Sequence, residues 1–170
     1  MRYAQIRKMD ISNGEGIGVA LFVQGCHFRC KNCFNQETWD FDGGQEWTDS
    51  VEEQFLELAD KPHIQRISIL GGEPLAEENA VDICRLIINI IKRFGDTKKI
   101  WLYSGYTFEG LLKGSLFQQI TLYLTDVLVD GRYDENLKDY RYKWAGSTNQ
   151  RVIDVQASLK AKEVVLWKEK

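Results

Sequence analysis

The sequence predicts an α/β fold: a partial, open (β/α) barrel with a mostly parallel sheet, in one domain spanning residues 1–170. Three observations predict it. Short apolar runs alternate with amphipathic helical stretches, the pattern of strand–helix–strand units joined by right-handed crossovers. The runs end on small or polar residues, as strand ends that carry a site do. The chain has 170 residues, well short of the roughly 250 of a closed eight-unit barrel.

The elements follow in order. Val19–Val23 reads as a strand ending at Gln24-Gly25, and Arg66–Leu70 as another ending at Gly71-Gly72. Lys99–Tyr103 ends at Ser104-Gly105, and Val127–Val129 at Asp130-Gly131. Arg151–Val155 and Val164–Trp167 are the last strand candidates. A helix over Val51–Ala59 follows Thr48-Asp49-Ser50, residues suited to N-capping. The longest helix, Glu77–Phe94, spaces Val81, Cys84, Ile87, Ile88 and Ile91 as one apolar face and stops at Gly95. Thr107–Leu112 and Gln118–Leu124 are shorter helices. Only Pro62 and Pro74 occur, and no linker, repeat or low-complexity tract divides the chain.

Hydrophobic residues make up 44% and charged residues 28%, a balance that builds a packed core rather than a disordered chain. A net charge of −3 argues against nonspecific binding to nucleic acid or anionic membranes. No apolar run has transmembrane length, since Leu86–Ile91 is broken by Asn89, and Met1–Lys8 holds no signal segment. A cytoplasmic location is expected. In that reducing compartment clustered cysteines read as metal ligands before disulfides.

Cys26, Cys30 and Cys33 form a C-x₃-C-x₂-C loop at the end of the first predicted strand. Thiolates select soft metals, chiefly iron–sulfur clusters and zinc. A 4Fe–4S cubane held by three protein ligands keeps one iron open, and that iron can chelate the amino and carboxylate groups of S-adenosylmethionine. Taken alone, the loop leaves open a zinc site completed by His27 or His63 and an electron-transfer module. Neither histidine is assigned a catalytic role. Cys84 sits on the apolar face of the long helix and reads as a small buried hydrophobe. Glu73 read alone is a carboxylate at a helix start, and Ser104 a cap for the helix near Thr107. Trp39 and Trp101 read as core aromatics, Trp39 equally as part of a partner surface. Asn149 and Gln150 either contact a cofactor or close a turn.

The cysteine loop, followed about forty residues later by Gly71-Gly72-Glu73-Pro74, resembles the radical S-adenosylmethionine superfamily. The segments Asp10–Gly16, Leu21–Cys26 and Phe34–Trp39 are similar to glycyl-radical activating enzymes. Trp101–Glu109, Asp126–Tyr133 and Gly146–Gln150 resemble the activating proteins of anaerobic ribonucleotide reductases. The resemblance implies a 4Fe–4S cluster on Cys26, Cys30 and Cys33 that cleaves S-adenosylmethionine to methionine and a 5′-deoxyadenosyl radical. It implies Gly71, Gly72 and Glu73 at the methionine amino group. Asn32 stands where many members carry an aromatic residue, and the aromatic follows as Phe34, so both are expected on the adenine side. Ser104 and Asp130 are expected to complete the cofactor site. The implied partner is an anaerobic ribonucleoside-triphosphate reductase that receives a glycyl radical, with a flavodoxin-like or other low-potential electron donor. An activase of a formate-lyase-type enzyme is the nearest alternative.

Overall fold

A computed structural model describes residues 1–169. The strands are β1 (Arg2–Asp10), β2 (Gly18–Val23), β3 (Gln45–Glu46), β4 (Arg66–Gly71), β5 (Lys99–Ser104), β6 (Val127–Asp130) and β7 (Arg151–Asp154). The helices are α1 (Asp49–Ala59), α2 (Glu77–Phe94), α3 (Phe108–Leu111), α4 (Leu116–Leu124) and α5 (Val155–Ala161). One seven-stranded open sheet runs β3-β1-β2-β4-β5-β6-β7. Its four central strands, β2, β4, β5 and β6, are parallel. β1 and β7 flank them antiparallel, and β3 pairs antiparallel outside β1. Among the described residues no helix is long and apolar enough to cross a membrane.

The central strands are apolar runs because both faces of the sheet are covered. Every residue of β2 is buried. Successive side chains alternate between two environments. Val19, Leu21, Val23, Ile67, Ile69, Ile100, Leu102 and Leu128 face the main core, to which all five helices contribute. Ala20, Phe22 and Leu70 point the other way, as do Trp101, Val127 and Val129, and no helix residue joins them. Loops and the C-terminal segment cover that second face: Trp144 and Trp167 meet Trp101 edge-on at 5.1 and 5.8 Å. The helices therefore lie on one side, and the other side is left for a site.

The helix ends follow local chemistry. Thr48 caps α1, and Ser115 with Gln118 forms a reciprocal capping box on α4. Thr107 caps α3 with its own hydroxyl, so Ser104 is not that cap. Gly95 ends α2 at φ 55°, as expected. The buried face of α2 is rotated from the expected one: Ile83, Cys84, Leu86, Ile87 and Ile90 are buried, while Val81 is exposed. Cys84 is the buried hydrophobe the spacing suggested.

β1 and β3 join the predicted strands, the Arg151–Val155 candidate forms β7, and one strand candidate falls away. β1 carries Gln5, Arg7 and Lys8 into solvent on an outer strand, so it lacks the apolar run of a central one. β7 runs antiparallel to β6 because only a loop joins them, with no crossover helix to turn the chain round. Val164–Trp167 makes only an isolated bridge between Leu166 and Ile153, not a strand.

A buried ion pair braces the floor of the open face. Arg66, at the start of β4, is fully buried and donates to Asp10 Oδ1 at 2.8 Å, Ser68 Oγ at 2.5 Å and the carbonyls of Asp10 and Glu15 at 2.9 and 3.2 Å. Burial alone would push the Asp10 carboxyl up, but hydrogen bonds from Arg66 and Asn13 outweigh it and hold it below its ordinary value. The 11–16 loop is wrapped on this guanidinium, and a Cβ on Gly14 would lie 2.8 Å from the Arg66 side chain.

Candidate functional site

The carboxyl ends of β2, β4, β5 and β6 meet at one rim, above a cavity of about 870 Å³. Cys26, Cys30 and Cys33 all line it, with Gly71, Gly72, Glu73, Ser104 and Phe34. The sheet supplies its floor through Phe22, Leu70 and Tyr103. The 11–16 loop and the 139–146 segment make further walls.

The cysteine loop starts where β2 stops. Gly25 and Cys26 donate to the carbonyls of Thr38 and Trp39 at 2.8 and 3.0 Å, which docks the loop on the segment that follows it. Gly25 has φ 95°, and a Cβ there would strike the Phe41 ring at 2.1 Å. Arg29 and Asn32 take left-handed conformations, φ 46° and 54°, which coil the loop tightly enough to turn three thiols to one side. The Cys33 amide donates to the Cys30 carbonyl at 3.1 Å. Burial pushes the Cys26 thiol up, opposed by the amides of Phe28 and Arg29. Burial and the Cys33 neighbour push Cys30 up, opposed by the Tyr133 amide and the Arg132 charge. Thiols held this way favour their thiolates once a cation arrives, because the surrounding amides already point at sulfur.

The residues fit a cubane better than one zinc ion. Among the described residues no three His, Cys, Asp or Glu side chains close on a single ion. His27 turns outward, pairing with Glu78 at 2.9 Å and resting on Phe41 at 4.4 Å between ring centres. His63 is exposed before β4, at the far end of the strand from the cysteines. A polynuclear cluster needs no shared ion, since each thiolate binds its own iron.

Gly72 brings β4 against the loop. A Cβ there would lie 2.4 Å from the Gly25 carbonyl oxygen, so only glycine permits this approach. The Glu73 amide then donates to Gly25 O at 2.7 Å. The Glu73 carboxyl accepts from the amides of Leu75 and Gly105 at 2.9 and 2.7 Å and from Ser104 Oγ at 2.8 Å, tying β4 to β5. Among the described residues no cationic side chain pairs with it. Burial pushes it up to about 7, against those three hydrogen bonds.

This buried carboxyl makes stability depend on pH. Its folded value of about 7 exceeds the 4.5 of an ordinary glutamate. The folded chain then holds the proton more tightly than the unfolded chain. The associated stability is full below pH 4.5 and is lost as pH rises to about 7. Parent and Glu73→Gln protein are to be unfolded in urea at pH 5 and pH 8. The variant gains on the parent by about 1.4 kcal/mol for each pH unit inside the window. The amide's unwanted donor toward Gly105 costs the same at both values and cancels. A difference independent of pH would mean that Glu73 stays ionised throughout.

The expected set is not all gathered. Asn32 does not line the cavity, and its side chain donates to Glu135 on the outer side of the loop. Asp130 is buried away from the cavity. It pairs with Arg151 through Nε at 2.9 Å and accepts from the Phe108 amide at 2.7 Å. Its place is to fasten α3 and β7 to the end of β6. Gln150 lines the cavity and also closes a turn: its side-chain oxygen accepts from Gly146 and Ser147, and its Nε2 donates to Gly131 O at 2.8 Å. Asn149 lies off the cavity and donates to the Arg132 carbonyl at 2.8 Å. Sequence reasoning missed Tyr133, Tyr142 and Trp144, which wall the cavity from a stretch without periodicity. Their density of aromatics between Gly131 and Gly146 was the available signal.

Known proteins give the same picture. Residues 12–153 match the family described as the 4Fe-4S single cluster domain. The anaerobic ribonucleoside-triphosphate reductase-activating protein of Enterobacteria phage T4 is 36% identical over 152 residues, 89% of this chain and 93% of that protein. The protein of the same description from Escherichia coli K12 is 38% identical over 154 residues, 89% of this chain and 97% of the relative. That from Salmonella typhi is 39% identical over the same length and shares. The fold, the thiol-lined cavity and these likenesses converge: this chain belongs to the 4Fe–4S family of anaerobic ribonucleoside-triphosphate reductase-activating proteins.

Proposed function

We propose that this protein is a radical S-adenosylmethionine enzyme that installs a glycyl radical on an anaerobic ribonucleoside-triphosphate reductase. The observation that carries the reading is the convergence of three partly buried cysteines and the Gly71–Glu73 strand end on one cavity. In this reading the open sheet with its one-sided helices is the partial barrel of that superfamily. Cys26, Cys30 and Cys33 would hold a 4Fe–4S cluster through three thiolates, a ligand count that leaves room for S-adenosylmethionine as a further ligand. When bound and reduced by an external low-potential donor, such a cluster would supply the electron that cleaves the sulfonium to methionine and a 5′-deoxyadenosyl radical, the species that would take a hydrogen atom from a glycine of the reductase.

The chain's own residues orient and enclose. Gly71 and Gly72 let the methionine end approach the backbone. Glu73, which lacks a cationic partner, accepts the ammonium group, and that charge favours its ionised form. Ser104 and the Gly105 amide hold the carboxylate toward it. Phe34, on the rim, offers an aromatic face to the adenine. Asn32 is left to the outer side of the loop and Asp130 to the sheet.

The test is electron paramagnetic resonance of anaerobically reconstituted protein with reductant, S-adenosylmethionine and the reductase. A glycyl-radical doublet that requires S-adenosylmethionine is the expected result. If the reduced-cluster signal shifts with S-adenosylmethionine and the doublet forms only on a formate-lyase-type enzyme, the partner assignment falls. If the iron-loaded protein gives no response to S-adenosylmethionine, the open-iron reading falls with it.

A further inference from the structure

Phe28 lies inside the cysteine loop, between Cys26 and Cys30, and its ring is held from three sides. Tyr106, after β5, meets it edge-on with 4.9 Å between ring centres. Gly105 lies beneath it, so close that a Cβ would sit 2.4 Å from the ring. The Arg132 guanidinium, after β6, stacks over it at 4.3 Å. These three contacts come from two strand ends, and each needs its residue type. The slot exists because Gly105 lacks a side chain, the edge contact needs an aromatic, and the stack needs a planar cation. The same 131–133 turn reaches the loop again, since the Tyr133 amide faces the Cys30 sulfur and the Arg132 charge acts on it. Arg132 lines the cavity too, so its charge stands at the cysteines' own opening.

We infer that Phe28 is the positioning residue that seats the cysteine loop on the sheet rim, and that Arg132, fixed by stacking on Phe28, raises the reduction potential of the bound cluster through its charge beside Cys30. The physical ground is simple. Reduction adds one negative charge to the cluster, and a fixed positive charge nearby favours the reduced state, the more so the less water screens it. Arg132 is exposed at the rim, so the ring that holds it near the loop sets how much of that charge is felt. An arginine tethered only by its flexible stem would spend its time in water. The aromatic ring keeps it by the sulfur. The inference rests on the cluster assignment to Cys26, Cys30 and Cys33 and requires nothing of S-adenosylmethionine cleavage.

Two measurements test it on the full chain. In the unloaded protein, hydrogen exchange of the loop amides reads the seat: Phe28→Leu is expected to speed exchange across residues 26–33 about tenfold. Should that variant fail to fold, Tyr106→Leu removes one side of the slot from outside the loop and is expected to act in the same direction. In the reconstituted protein, a potentiometric titration reads the charge. Arg132→Gln is expected to bind the parent amount of iron and sulfide yet be about tenfold harder to reduce, about 59 mV more negative for a one-electron couple. Arg132→Lys is expected to recover part of that shift. Parent exchange rates in both Phe28→Leu and Tyr106→Leu would overturn the seat. A parent potential in Arg132→Gln at parent iron content would overturn the charge. Neither measurement reads cofactor cleavage, so each can fail while the proposed function stands, and the reverse.

Discussion

Cys26→Ala, Cys30→Ala and Cys33→Ala proteins are each expected to lose the cluster almost entirely after anaerobic reconstitution, with iron and sulfide falling from about four per chain toward zero. Each thiolate would hold one iron, and two ligands cannot retain a cubane whose other corners face an open cavity. Cys84→Ala is the control. Cys84 is buried among the aliphatic residues of α2, away from the cavity, and its loss removes one sulfur from a packed helix face. That variant is expected to load iron as the parent does, at a stability cost of about 1 kcal/mol. Full iron content in any loop variant would refute the ligand assignment. The loop substitutions are expected to spare the fold, since the three cysteines are only partly buried and the loop is fixed by backbone hydrogen bonds from Gly25 and Cys26.

The second large effect falls on stability. Arg66→Ala is expected to cost roughly 3–5 kcal/mol in urea unfolding, the usual cost of leaving one member of a buried ion pair alone. Asp10 would remain 3% exposed with Asn13 beside it and Arg7 at 3.6 Å as its remaining cation. The 11–16 loop would lose its anchor at the Glu15 carbonyl and a shaped support, and the end of β1 the bond to the Asp10 carbonyl. Because Arg66 helps depress the Asp10 value, the parent loses this stabilisation as pH falls through the lowered folded value. The variant is expected to show a shallower acid limb. A loss below about 1 kcal/mol would mean that water already reaches Asp10, as at an exposed pair.

What could be read in the chain divides along physical lines. The parallel strands were legible because strands covered on both faces must be apolar throughout, and their ends because glycines and the cysteines cluster there. The cysteine loop, Gly71, Gly72, Glu73 and Ser104 were legible for the same reason and line one cavity. β1 was not, since an outer strand with a wet face gives a third of its nine positions to Gln5, Arg7 and Lys8. The direction of β7 was not, because pairing sense depends on the connection and not on the strand's composition. Asp130 looked like a site residue by its place at a strand end. Its carboxylate is satisfied by Arg151, a partner 21 positions away that no local pattern reveals. Arg66 was hidden likewise: a charged residue opening a strand reads as a surface boundary, and its partner lies 56 positions upstream.

Helices on a single side of the sheet have a cost that their packing does not show. The opposite side is closed only by loops and a terminal segment, and the three loop cysteines remain partly exposed. In the function proposed above, the opening through which a protein loop reaches the sulfurs also admits dioxygen. No rearrangement of side chains could exclude a gas and admit a polypeptide. On that reading, sensitivity to air is an expected consequence of the architecture, and the cluster's lifetime under oxygen is expected to lengthen when a partner covers the opening.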